Sequence, residues 1–160
     1  MKTSKCVLVC KPEHTEKAKK IFEGTNIEIV EGHRILGSTI GTEDSMKAFI
    51  DEQVSLHQSQ IDKLSDIAKT NPQNVYACYT KGVQAKLSFL NRTTPKMNDA
   101  MKEVEKTVQQ NLLPKMTKLD SIDDETRTLF SLPLKMGGLN IVKPEEYTSS
   151  YGCHKKFPAV

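Results

Sequence analysis

The sequence predicts an α+β fold that is mostly α, with a short N-terminal strand–helix–hairpin followed by an antiparallel helical bundle. Three observations carry this prediction. Short β-branched runs lie close together ahead of Gly41. From Thr42 onward, apolar residues recur at steps of three and four, the spacing of a helix face. Pro72, Pro95 and Pro114 punctuate that pattern where helices begin and end. At 160 residues the chain is long enough for a substantial core. With 6% aromatics and no tryptophan, that core has to be built from Leu, Ile, Val and Met.

The elements follow in order. "CVLVC" reads as a strand, and "KPEHTEKAKKIFEG" as a helix with Pro12 in its first turn and Gly24 as its stop. "IEIV" and "HRILGSTIG" are two β-prone runs, and the two residues between them, Glu31 and Gly32, are expected to close a hairpin. Thr42 is the expected N-cap of a long helix, with Glu43 and Asp44 set against its positive end. Its stripe is Met46, Ile50, Val54, His57, Ile61, Leu64 and Ala68. Carried to Thr70, this helix is about 40 Å long at ~1.5 Å per residue, and it needs neighbours along its length.

Pro72 opens a second helix with Val75, Tyr79, Val83, Leu87 and Leu90 toward the core, ending before Pro95. A third begins near Asn98 and aligns Met101, Val104, Val108 and Leu112, with Pro114 limiting or kinking it. Asp123 to Ser131 reads as a short helix, capped by the adjacent acids Asp123 and Asp124. In "SLPLKMGGLNI", Pro133 ends that helix, and Gly137-Gly138 permit a turn or a close backbone approach. The expected organisation is 1–41 (α/β start), 42–119 (bundle), 120–144 (short helix and glycine segment) and 145–160 (disordered tail).

Composition narrows the function classes. Cys6, Cys10, Cys78 and Cys153 are too few and scattered for a secreted disulfide scaffold. No apolar leader opens the chain, so an intracellular protein of cytoplasm or nucleus is expected. No run approaches the ~20 apolar residues a membrane span requires. Cys6, Cys10 and His14 lack zinc-ligand spacing, and His57 on an apolar stripe reads as a core histidine. Phosphate-binding glycine loops, GxSxG elbows and HExxH pairs are all missing.

Charge is more informative locally than globally. The net charge is only +3, yet no Asp or Glu occurs between Ile67 and Asn98, a window holding Lys69, Lys81, Lys86, Arg92 and Lys96. On a helical wheel at ~100° per residue, Lys81, Gln84, Ser88 and Arg92 share one side. Two cations with hydrogen-bonding neighbours suit a phosphate backbone, which they would hold without reading its sequence.

"GHRILGSTIG", "DKLSDIAKTNPQNVYACYTKGVQAKLSFLNRTTP" and "LPLKMGGLNIVKP", in that order and spacing, resemble the C-terminal part of reverse transcriptases of non-LTR-type retrotransposons. That family shows a G-x-R-x-LG-x-x-IG segment, an A-x-x-x-PQ-x-AY helix, a basic helix and LP-x-R-x-GGLGI. The resemblance covers about Ser4 to Pro144. It implies that Lys5 corresponds to a palm lysine donating a proton to pyrophosphate. It also implies that Leu36 and Gly37 form the turn gripping the primer, and that the helices from Thr42 to Met116 are a thumb holding template and primer. Lys81, Gln84, Ser88, Arg92 and Lys135 are then the candidate nucleic-acid contacts.

This chain departs from the family pattern in four places. It begins after both aspartate motifs that bind the parent enzyme's magnesium, so no cofactor and no polymerase activity are expected of it alone. Cys6 replaces an aromatic residue, Asn140 a third glycine, and Lys135 an arginine whose planar fork could grip phosphate at two points. The expected function is therefore weak binding of RNA–DNA hybrid or duplex by a fragment of an RNA-directed DNA polymerase. The alternative is a retroelement-derived protein–protein interaction module, or a decaying fragment. Its exposed palm edge, with Val7, Leu8, Val9, Ile35 and Leu36, would then drive self-association.

Overall fold

The computed structural model describes residues 6–148, and the protein is mostly helical with a few short strands. It divides into two compact units, Met1–Glu52 and Gln53–Val160.

In the N-terminal unit, β1 (Val7–Val9) is followed by a 3-10 turn (Pro12–His14), α1 (Thr15–Ile21) and β2 (Glu28–Val30). β1 and β2 pair in parallel, Val7 with Glu28 and Val9 with Val30. A parallel pair needs a crossover, and α1 supplies it, burying Ala18. β3 (Gly32–Ile35) and β4 (Ser38–Gly41) then pair antiparallel, Gly32 opposite Gly41 and Ile35 opposite Ser38.

The hairpin turn is thus Leu36-Gly37, and the expectation that Glu31-Gly32 closes it is corrected. Glu31 only links β2 to β3, which belong to different sheets. A tight two-residue hairpin requires left-handed backbone at both positions; Leu36 has φ 51° and Gly37 φ 84°.

α2 (Glu43–Ala68) starts one residue after Thr42, whose carbonyl accepts the Met46 amide at 3.0 Å. Its first turns belong to the N-terminal unit, with Phe49 and Ile50 buried. Arg34 lies 5.2 Å from the centre of the Phe49 ring and 3.8 Å from the Glu52 carboxylate, so one cation joins hairpin to helix.

The second unit contains the rest of α2 and two further long helical runs among the described residues. One is α3 (Pro72–Cys78), a π turn (Tyr79–Val83) and α4 (Gln84–Thr93). The other is α5 (Met97–Thr107), a π turn (Val108–Leu112) and α6 (Leu113–Thr117). α3 packs on α6 and α4 on α5, so these two runs are antiparallel.

α2 runs parallel to α5–α6. Gln58 Nε2 donates to Thr107 Oγ1 at 3.4 Å, Asn111 Nδ2 to Asp62 Oδ1 at 2.8 Å and Lys115 Nζ to Asp66 Oδ1 at 3.3 Å, each across 49 residues. The Lys115–Asp66 ion pair among these rungs stabilises little, roughly 0–1 kcal/mol, but together the rungs mark the register.

The predicted stripes face the core for the most part; Met46, Val54 and Leu64 of the α2 stripe are only half-buried, while Gln53 and Ser65 of that helix are buried. Ile61, Ala68, Val75, Tyr79, Val83, Leu87, Leu90, Met101, Val104, Val108 and Leu112 are all buried. Each large aliphatic contributes about 1.5–3 kcal/mol by leaving water. Pro114 does not end its helix. A proline lacks the amide proton and its ring collides with the carbonyl four residues back; the wider turn at Val108–Leu112 absorbs both defects.

The other π turn holds Gly82, where an added Cβ would meet nothing within 4 Å. Gly82→Ala is therefore expected to raise stability by about 0.5–1 kcal/mol, since alanine favours helix and restricts the unfolded chain. A denaturant titration measures it.

α7 (Asp124–Ser131) follows with Asp123 at its N-cap, as expected. The next segment turns through a 3-10 element, Leu134–Met136, and runs across the bundle to a second, Pro144–Thr148, which packs on α4 and α5. The rest of the expected tail, 149–160, lies outside the described residues.

Candidate functional site

The five cations of the acid-free window, Lys69, Lys81, Lys86, Arg92 and Lys96, are all exposed. Lys81 projects from the π turn, and Arg92 Nε donates to the Ser88 carbonyl one helical turn earlier at 3.1 Å. Ser88 is half-buried beside it.

Gln84 is a correction. It is buried, and its Nε2 donates to the Asn140 carbonyl at 3.1 Å. Leu87 and Asn91, three and seven residues further along α4 and on the same side, are buried too, so the core-facing side of α4 takes in Gln84. Ser88 and Arg92 remain on the outer side of α4, and Lys81 is exposed on the π turn before it.

Leu36 and Gly37 stand at the tip of the β3–β4 hairpin, with Leu36 92% exposed. A leucine with positive φ is strained, and the local physics of the turn favours Asn or Gly there. Lys135 is exposed on the Leu134–Met136 turn, between side chains that are themselves 64% and 62% exposed. Lys5, and the Cys153-His154 pair, lie outside the described residues.

The polar network that fixes the 139–144 strap includes side chains the sequence did not single out. Tyr76 Oη donates to the Leu139 carbonyl at 2.8 Å, Gln84 to that of Asn140, Arg127 Nη1 to that of Ile141 at 2.8 Å and Asn91 Nδ2 to that of Pro144 at 3.1 Å. An irregular segment buried on a bundle must find partners for its carbonyls, and here side chains of α3, α4 and α7 provide them.

Arg127 is 1% exposed and grips the Glu105 carboxylate at two points, through Nε to Oε1 and Nη2 to Oε2, the latter at 2.9 Å. Burial pushes the Glu105 pKa up, and the Arg127 guanidinium draws it back down. A sequence signal existed. Glu105 lies four residues after Met101 on a core-facing stripe, where a lone charge demands a buried partner.

His57 is a core residue, as expected. Its Nδ1–H donates to the Gln53 carbonyl at 2.7 Å, and burial lowers its pKa, with nearby Lys86 acting the same way.

At the α7 N-terminus, Asp123 occupies the N-cap position, its pKa held down mainly by Thr126, and Asp124 Oδ1 accepts the Gln109 amide at 3.2 Å. Among the described residues, no three His, Cys, Asp or Glu side chains are grouped as metal ligands, and no helix is long and apolar enough to cross a membrane. Comparison with known protein families, with curated proteins and with solved structures gives no match.

Proposed function

We propose that this chain is the template-primer-holding rear part of a retroelement RNA-directed DNA polymerase. It binds RNA–DNA hybrid or duplex nucleic acid inside the cell through its thumb-like bundle. The observation that carries the reading is the exposure of all five cations of an acid-free stretch, on and around a single helical run. Support also comes from the hairpin tip at Leu36-Gly37, where the resemblance calls for a turn, and from the glycine segment that crosses the bundle. Asn140, where the family has glycine, keeps φ 55°, a conformation asparagine tolerates better than most residues.

Fluorescence anisotropy with a labelled hybrid tests this. Binding is expected at ~20 mM salt and should fade steeply as salt rises; Lys81→Ala with Arg92→Ala should flatten the salt slope by about two. No binding at ~20 mM salt overturns the proposal.

A second reading, self-association, is favoured by Ile35, Leu36 and Ile40, which are 43%, 92% and 48% exposed on one hairpin, with Val7, Leu8 and Val9 half-buried. Failure of the hybrid to bind, together with concentration-dependent sedimentation, would select it.

A further inference from the structure

The Leu134–Met136 turn contributes no buried side chain. Its internal bonds are short-range: Met136 and Gly138 amides to the Pro133 carbonyl, and the Gly137 amide to that of Leu134. Its base is closed by backbone bonds, from the Leu139 and Ile141 amides to the Phe130 carbonyl and from the Asn140 amide to that of Leu132. Where this closed loop sits on the bundle is set by α7 before it and by the strap after it, and Arg127 belongs to both. The residue is rooted in α7, it is bonded to the strap at the Ile141 carbonyl, and Glu105 ties it to α5. Tyr76, from α3, holds the strap two residues earlier, at Leu139.

A buried ion pair is a poor route to stability, because desolvation offsets most of its attraction. Its distinctive contribution is geometric, since a guanidinium fork donates to partners in one plane only. Here three of its N–H groups are committed, two to the carboxylate and one to the strap.

We propose that Arg127 is a positioning residue for nucleic-acid binding: anchored by Glu105, it aims the Lys135 turn at the phosphate backbone by fixing the strap on its C-terminal side. This rests on the nucleic-acid reading above.

A double-mutant cycle with the full-length chain and the labelled hybrid tests it. Lys135→Ala alone should flatten the salt slope by about one. In an Arg127→Lys background, which keeps the charge but loses the fork, the effect of Lys135→Ala should disappear. Tyr76→Phe, which removes only one hydroxyl bond to the strap, should reduce the Lys135→Ala effect while leaving the helical circular dichroism unchanged. It decides the matter if Arg127→Lys fails to fold. Losses that simply multiply in both backgrounds overturn the positioning role while leaving the nucleic-acid reading intact. If Lys135→Ala leaves the slope unchanged in the wild-type background, Lys135 is not a contact and the proposal falls. Absence of any binding removes both.

Discussion

Arg127→Ala is expected to lower the unfolding free energy by about 3–5 kcal/mol, the usual cost of removing one partner from a buried pair. Two penalties combine. Glu105 is left as a buried carboxylate whose bidentate partner has gone, and the Ile141 carbonyl loses its donor. Urea titration measures the change, and a loss below about 1 kcal/mol would contradict the geometry, since that is the scale of an ordinary exposed pair. Replacing both partners with apolar residues, Arg127→Met with Glu105→Leu, should recover much of the loss, because no buried charge then remains. The strap carbonyl would stay unpaired, so recovery should be incomplete by about 1–3 kcal/mol.

Gly138→Ala should be the most damaging single-methyl change in the glycine segment. A Cβ at Gly138 would lie 2.1 Å from the Leu132 carbonyl oxygen, a backbone atom that cannot rotate aside. Overpacking of this kind costs about 1–3 kcal/mol or more. Its neighbour gives the control. Gly137 has φ 84° and open space around it, so Gly137→Ala meets only the left-handed penalty of roughly 1–2 kcal/mol. The two variants, compared by thermal unfolding, separate close approach from backbone conformation. Equal losses would mean that Leu132 moves freely.

Much of the fold was legible because helix periodicity is a local signal. The helix starts after Thr42, at Pro72 and after Asp123 each depend on residues a few positions apart, and the structure keeps all three. The hairpin was misread for a related reason. Glu31-Gly32 looked like a turn by composition, whereas the real turn uses Leu36 in a conformation that leucine disfavours and composition therefore hides.

The candidate site was legible only in part. Exposed cations on a helix follow from charge pattern, but Gln84 sits at the edge of the strip, beside the buried Leu87 and Asn91, and its bond to the Asn140 carbonyl is a tertiary contact across 56 residues. The pairing of Glu105 with Arg127 joins residues 22 apart. Each is visible as a charge near apolar neighbours, yet which finds which is a tertiary fact.

The rungs between α2 and α5–α6 have a kinetic consequence. Every one joins residues 49 apart in sequence, whereas consecutive helical runs meet through short links at residues 69–71 and 94–96. Closing a long loop costs entropy before any contact repays it. Contacts between consecutive runs are thus the less costly ones to close, and the rungs raise the contact order of the bundle, which slows its folding relative to a bundle held by neighbouring runs alone.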